Sequence, residues 1–300
     1  MPQFAELTTM EWNSKSWRVQ DYSYQVPRGD VYSNVVQKPL TSRDIPRVGA
    51  LYAGMSFGFQ MAGSGTKGTP PGDGPLLTAC ALKHVNVPAT SDTYSVTGDL
   101  DTDFTAYSIF GYPGGNLKDS CLNSAGNVSW EFMPGQPVIA RYDFAGEFAD
   151  ITSSPVTAPL GTSARPVCAK GLALTLKSKT IVPKRIGINL NNTLDSPRYN
   201  IAGTHGVSPP LVVNQQPSFE VTLELPALTD IAFITDFVAE TKHTLHIVLG
   251  SVAGNIITID CDGYMNAMPQ ITEGDGLIII TATYDMSWID GDTKLQFVYT

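Results

Sequence analysis

The 300-residue sequence is poor in charge, cysteine and histidine, and it contains no long apolar run. Only 16% of its residues are charged, and 28 acids against 19 bases leave a formal net charge of −9. So acidic a chain lacks the Lys/Arg surface that gripping nucleic-acid phosphates requires. Its four cysteines, Cys80, Cys121, Cys168 and Cys261, are far apart and make no C-x-x-C pair. They are expected to be reduced thiols in a cytosolic product. The four histidines, His84, His205, His243 and His246, show no zinc spacing, and no carboxylate joins the last two in a metalloprotease pattern. No stretch approaches the apolar length that spans a bilayer, so no membrane partner is expected. The N-terminal MPQFAELTTMEWNSK lacks the basic start and apolar core of a signal peptide. What is present is a 42% hydrophobic chain, enough for a core. Gly (27) and Pro (21) are frequent, and Val, Ile, Thr and Tyr recur in short runs. That mixture favours many short strands joined by turns.

Several short motifs imitate chemistry without its context. GMSFG (residues 54–58) matches the G-x-S-x-G nucleophile elbow, but Ser56 runs on into an alternating strand where the elbow needs a helix. GSGTKG (63–68) fits G-x-G-x-x-G, yet Thr69-Pro70-Pro71-Gly72 follows where a dinucleotide loop opens into a helix. DLDTD (99–103) begins like a calcium loop, but Phe104 and Phe110 stand where Gly and the closing acid belong. Asp99, Asp101 and Asp103 are expected on one solvated face of a strand. DCDG (260–263) is a lone fragment, and Arg28-Gly29-Asp30 reads as an ordinary turn. Catalytic residues, metal and cofactor are all expected to be absent.

The stronger signal is repetition. GYPGGN (111–116) and GSVAGN (250–255) share G-x-x-x-G-N, 139 residues apart, and Tyr142-Asp143 and Tyr284-Asp285 follow them, 142 apart. Further landmarks keep the same order. WRVQDYSYQ (17–25) and LALTLKSKTI (172–181) alternate and run into Val26-Pro27 and Val182-Pro183. SFGFQM (56–61) and SFEVTL (218–223) read as period-2 strands. Each is followed by a helix-like piece, GPLLTACAL (74–82) and LTDIAFITDFVAETK (228–242). In the second, Thr229 or Asp230 can cap the start, and Ile231, Ile234 and Val238 share a face. The expected organisation is mainly β: two tandem antiparallel β-sandwich or half-barrel domains, each with one flanking α-helix. The domains span residues 1–155 and 166–300, and the Ser-, Thr- and Pro-rich stretch 153–166 links them. Gly111, Gly115 and Asn116, with Gly250, Gly254 and Asn255, are expected in hairpin turns that need positive φ.

GSGTKGTPPGDGPLLTACAL (63–82) resembles the "GSGT…P…LL.ACGL" segment of major tail tube proteins of long, non-contractile-tailed bacteriophages, in the long form with a duplicated tube domain. Residues 95–148 resemble the run that follows in that family, with Ala125-Gly126-Asn127-Val128, Gly135-Gln136-Pro137 and Phe144-Ala145-Gly146 at its landmarks. The similarity extends from about residue 50 to 290, and Ala81 departs from the family's frequent Gly. The resemblance implies a structural subunit of the virion, made in the host cytoplasm. It implies stacked rings around a DNA channel, without sequence-specific DNA binding. The implied partners are the chain itself, a tape measure protein and DNA in the lumen, and terminator and distal tail proteins at the ends. With two domains per chain, three chains would make a pseudo-sixfold ring; the alternative is a sixfold ring with the second domain outside. The long loops 29–54 and 185–217 are candidate ring-stacking segments, with Arg28, Asp30, Tyr32, Arg43, Arg47, Arg185, Asn191, Arg198 and Tyr199 as contacts. Other readings are another tail structural protein, a β-sandwich binding module, or a hydrolase using Ser56. The binding module would cluster exposed aromatics, whereas Trp12, Trp17, Trp130 and Trp288 are scattered.

Overall fold

The computed structural model describes residues 8–25, 31–32, 47–96, 99–161, 164–203, 205–224, 231–274, 277–286 and 295–300. The first half comprises β1 (Thr9–Trp12), β2 (Lys15–Arg18), β3 (Gln20–Gln25), β4 (Val31–Tyr32), β5 (Arg47–Val48), β6 (Tyr52–Gln60), α1 (Gly74–Ala79), β7 (Leu82–Val87), β8 (Ser91–Val96), α2 (Leu100–Asp103), β9 (Tyr107–Tyr112), β10 (Leu117–Phe132), β11 (Ile139–Phe148) and β12 (Thr152–Ser153). The second comprises β13 (Ala173–Leu176), β14 (Lys179–Thr180), β15 (Pro183–Asn189), β16 (Asn192–Asp195), β17 (Arg198–Tyr199), β18 (Val207–Ser208), β19 (Leu211–Gln215), β20 (Ser218–Glu224), α3 (Phe233–Val238), β21 (His243–Leu249), β22 (Ile257–Met265), β23 (Gln270–Gly274), β24 (Leu277–Asp285) and β25 (Leu295–Tyr299). The fold is mainly β, and every named strand pair is antiparallel.

Period-2 patterning builds these strands. In β6, YAGMSFGFQ, the side chains of Ala53, Met55, Phe57 and Phe59 are buried on one face, and Ser56 points to the other. One sheet runs through both halves in the order β3-β6-β11-β10-β15-β20-β24-β23. β10 is long enough to serve two neighbours along one edge. Its residues 119–124 pair with β9 and its residues 129–132 with β15.

The two halves use the same neighbour order. In the first it is β2-β1-β9-β10-β11-β6-β3, and in the second β14-β13-β21-β22-β24-β20-β15. The register agrees as well. Phe57 pairs with Tyr142 and Ser56 with Asp143; Phe219 pairs with Tyr284 and Ser218 with Asp285. The match is not complete. The β7–β8 hairpin of the first half pairs through β8 with β25, at the C-terminus, and so extends the other half's sheet. The second half goes from α3 to β21 directly.

Among the described residues, most buried apolar side chains of both halves form one core cluster, and Ala81, Ala125 and Val212 form a small second one. Trp12 stacks on Trp17, with ring centroids 5.5 Å apart, and Trp130 of β10 lies 4.4 Å from Phe297 of β25. Losing a buried aromatic such as Phe297 costs about 3–5 kcal/mol, and here both halves would lose packing.

Several expected elements are redrawn. The strand expected over 17–25 is two, β2 and β3. That over 172–181 is the β13–β14 hairpin, and β15, which begins at Pro183, takes the place of β3. In 172–181 the reason is a two-residue turn, Lys177-Ser178, with both residues at positive φ; in 17–25 the chain breaks at Val19, and positive-φ Asp21 sits in a register shift of β3 against β6. The helix expected over 228–242 is α3, six residues long, and Ala232 stands at its N-cap. The caps expected at Thr229 and Asp230 lie outside the described residues. Its buried positions are Phe233 and Asp236, while Ile234 and Val238 point outward. Around DLDTD the chain makes the turn α2 in place of a strand, because the Asp99 side chain accepts a hydrogen bond from the Thr102 amide at 3.3 Å. The stretch 153–166 is tied down by backbone bonds. Val156 N donates to Gly115 O, Ser16 N to Pro159 O, Gly161 N to Ser16 O, and Ala164 N to Gly63 O.

Candidate functional site: the assembly surfaces

The continuous sheet has one buried apolar face and one polar face. The polar face carries Asp21, Glu131, Asp143, Glu220, Glu224 and Asp285, with Arg141 and Arg185 between them. Both arginines are engaged by acids. Arg141 lies 3.2 Å from Asp21. Arg185 Nε lies 2.9 Å from Glu131 and its Nη1 3.2 Å from Glu220, so it bridges both halves where β10 meets β15. Thr222 and Thr281 share a hydrogen bond of 3.1 Å across the second half. The surface is therefore hydrophilic and predominantly acidic.

The sheet ends in two edges. Among the described residues β3 pairs only with β6, and β23 only with β24. An unpaired edge offers a row of backbone donors and acceptors to another strand. Within the chain, β10 and β15 show how two such edges meet: Ser129 opposite Asn189, Trp130 opposite Ile188, Glu131 opposite Gly187, and Phe132 opposite Ile186.

Both long loops contain hairpins. In the first, β4 pairs with β5, Tyr32 opposite Arg47. Arg28, Asp30 and Arg43 lie outside the described residues. In the second, β16 pairs with β19 and β17 with β18, forming an arm over residues 192–215. Its base is fastened to the first half: Asn192 Nδ2 donates to Cys80 O at 2.7 Å and to Gly126 O at 2.9 Å. Asn191 closes the arm, donating to Gln216 O and Ser218 Oγ. Arg198 and Tyr199 are exposed near the tip. Arg185, expected in this loop, belongs instead to β15.

The G-x-x-x-G-N segments are only partly turns. Gly111 sits inside β9, against Tyr22; a Cβ there would fall 2.2 Å from the Tyr22 hydroxyl. Tyr22 donates to Asp119 at 2.8 Å, and burial raises the pKa of both groups. Gly115 and Gly250 have positive φ, whereas exposed Asn116 does not. Gly254 and Asn255 do more than turn the chain. Asn255 Oδ1 accepts from Gly63 N at 2.7 Å and its Nδ2 donates to Arg165 O at 2.9 Å. Gly65 N donates to Gly254 O at 2.9 Å, so the GSGT loop is clamped onto the other half's hairpin.

Two buried polar groupings carry no signature in the sequence. Tyr142 donates to Asp73 at 2.8 Å, and burial lifts that carboxyl to about 6 in spite of the bond. In the other half Tyr284 meets His243 Nδ1 at 3.1 Å, and His243 Nε2 meets Asp236 at 3.1 Å. Lys177 Nζ reaches both Asp236 oxygens at 2.8 Å. Burial lowers the His243 pKa, opposed by Asp236. With Asp236 accepting from Nε2–H, Nδ1 is left to accept from Tyr284. Each network fixes a helix against the sheet. Ser56 lies in mid-strand opposite Asp143, away from any strand-to-helix elbow. Among the described residues no three His, Cys, Asp or Glu are grouped to hold a metal, and no helix is long and apolar enough to cross a membrane.

The profile of the phage tail tube protein family matches residues 32–286, most of the chain. Among curated proteins none matches significantly. The matched span covers every strand of the continuous sheet except β3. The chain belongs to the phage tail tube protein family.

Proposed function

We infer that the protein, as a member of that family, is a structural subunit of the tail tube and a component of the virion. We propose that it carries the tube domain twice and closes into a ring of three chains, stacked in the manner of long non-contractile tails. The β10–β15 junction carries this reading. It joins the halves edge to edge in one sheet, so the same junction between β23 of one chain and β3 of the next would close the ring. The shared neighbour order and the matching Phe–Tyr and Ser–Asp registers support the duplication. Three copies of the eight-stranded sheet exceed the roughly 16–18 strands at which barrels begin to hold an aqueous channel. The polar face would line that channel, and its acids would repel DNA phosphates so that the genome slides. A sixfold ring with one half outside would leave β15 and its partners without a place in the channel wall.

The tape measure protein is the expected occupant of the lumen before DNA, with terminator and distal tail proteins at the tube ends, and synthesis in the host cytoplasm. Negative-stain microscopy of the purified chain tests the reading. Rings or tubes are expected; a monomer that persists at high concentration would contradict it.

A further inference from the structure

Resting on the tube reading, the structure also indicates how one ring grips the next. β3 and β15 run in the same direction, since each step through β6, β11 and β10 reverses the chain. The β4–β5 pair follows β3 and the arm built on β16–β19 follows β15, so both come after the same end of the sheet. The arm's far end stays there: Leu51 N donates to His205 O, and the His205 ring lies 5.5 Å from Phe148.

The opposite end, where β3 and β15 begin, carries two grooves. One, of about 250 Å³, is apolar and framed by Phe132, Pro134, Leu172, Leu174, Ile181 and Val182. The other, about 470 Å³, lies beside Trp17, Val19, Phe59 and Leu160. The nine residues of β6 put about 30 Å between the two ends. Apolar groups are exposed at both. Ile201 at the arm tip is fully exposed, and Val182 on the groove rim is 70% exposed. A plug and a socket at opposite ends of one chain cannot meet within it. They meet between copies placed head to tail, a heterologous contact that propagates as a filament.

We propose that Ile201 seats in the groove framed by Phe132, Leu174 and Val182 of a second copy of this chain in the adjoining ring. Ile201→Asp and Val182→Asp, both on exposed side chains, test it in the full-length protein by negative stain and sedimentation. Each is expected to stop tubes at ring-sized particles, raising the concentration needed for elongation at least about tenfold. Leu160→Asp, on the other groove, is expected to elongate normally. Mixing the first two variants restores one working junction per pair of rings, so paired rings and no tubes are expected. Should either aspartate variant fail to fold, the corresponding serine variant repeats the test. Tubes of normal length from Ile201→Asp, or a block by Leu160→Asp without one by Val182→Asp, would overturn the pairing and leave the tube reading intact. A wild-type chain that never forms rings or tubes would overturn both.

Discussion

Asn255 holds the two halves of the chain together, its Oδ1 accepting from the amide of Gly63 at 2.7 Å across a separation of 192 residues. The same side chain donates to Arg165 O. Asn255→Ala strands a part-buried backbone donor and is expected to cost about 1–3 kcal/mol in chemical denaturation. Asn116→Ala, on the exposed member of the related turn, should stay within about 0.5 kcal/mol. Equal effects would contradict the clamp.

Asp73 makes stability depend on pH in one direction. Its carboxyl titrates at about 6 in the fold against 3.8 unperturbed, so the folded state binds more protons in between. Stability from this group rises as pH falls from about 6 towards 4 and is lost above it, a difference of up to roughly 3 kcal/mol. Asp73→Asn should therefore gain stability at pH 7.5 and lose the advantage at pH 4. Melting temperatures of the two proteins across that range check it; parallel profiles would refute it.

His243 works the other way. Its folded pKa is lowered, so the unfolded chain binds the extra proton first, and stability falls as pH drops below about 6.5. Asp236, Lys177 and Tyr284 face it, and Phe233 lies beside it. His243→Gln, which can keep both hydrogen bonds, should flatten the acid limb of the melting curve between pH 7 and 5. An unchanged limb would mean that His243 does not govern it.

Much of this architecture was legible in the sequence. The Ser-Phe and Tyr-Asp landmarks stand opposite each other in both halves, and alternation alone marks β6 and β20. What escaped had physical reasons. The turn at Lys177-Ser178 uses left-handed residues without glycine, so nothing in the sequence marks a hairpin where a single strand is expected. α3 buries Asp236, a polar residue, because Lys177 and His243 satisfy it; apolar periodicity therefore picks out Ile231 correctly but misplaces Ile234 and Val238, which point outward. The G-x-x-x-G-N motif mixes a strand glycine, Gly111, with true turn positions, and only tertiary contact shows that Asn255 is a clamp. Arg185 looked like a loop residue because its strand begins at a proline.

The polar face of the sheet is expected to govern DNA passage. Replacing Asp143 and Asp285 together by Lys puts positive charge among the acids flanking Arg141 and Arg185. Phage particles carrying the double variant should assemble tails and eject DNA several-fold more slowly at low salt, with the difference shrinking as salt rises. Ejection rates that match wild type at every salt concentration would show that this face does not meet DNA.

The number of chains in a ring tests the central claim most directly. Native mass spectrometry of detergent-free rings, or symmetry read from end-on particle averages, gives that number. Three chains, with β23 of each beside β3 of the next, are predicted by the β10–β15 junction. Six chains in the ring would contradict the account.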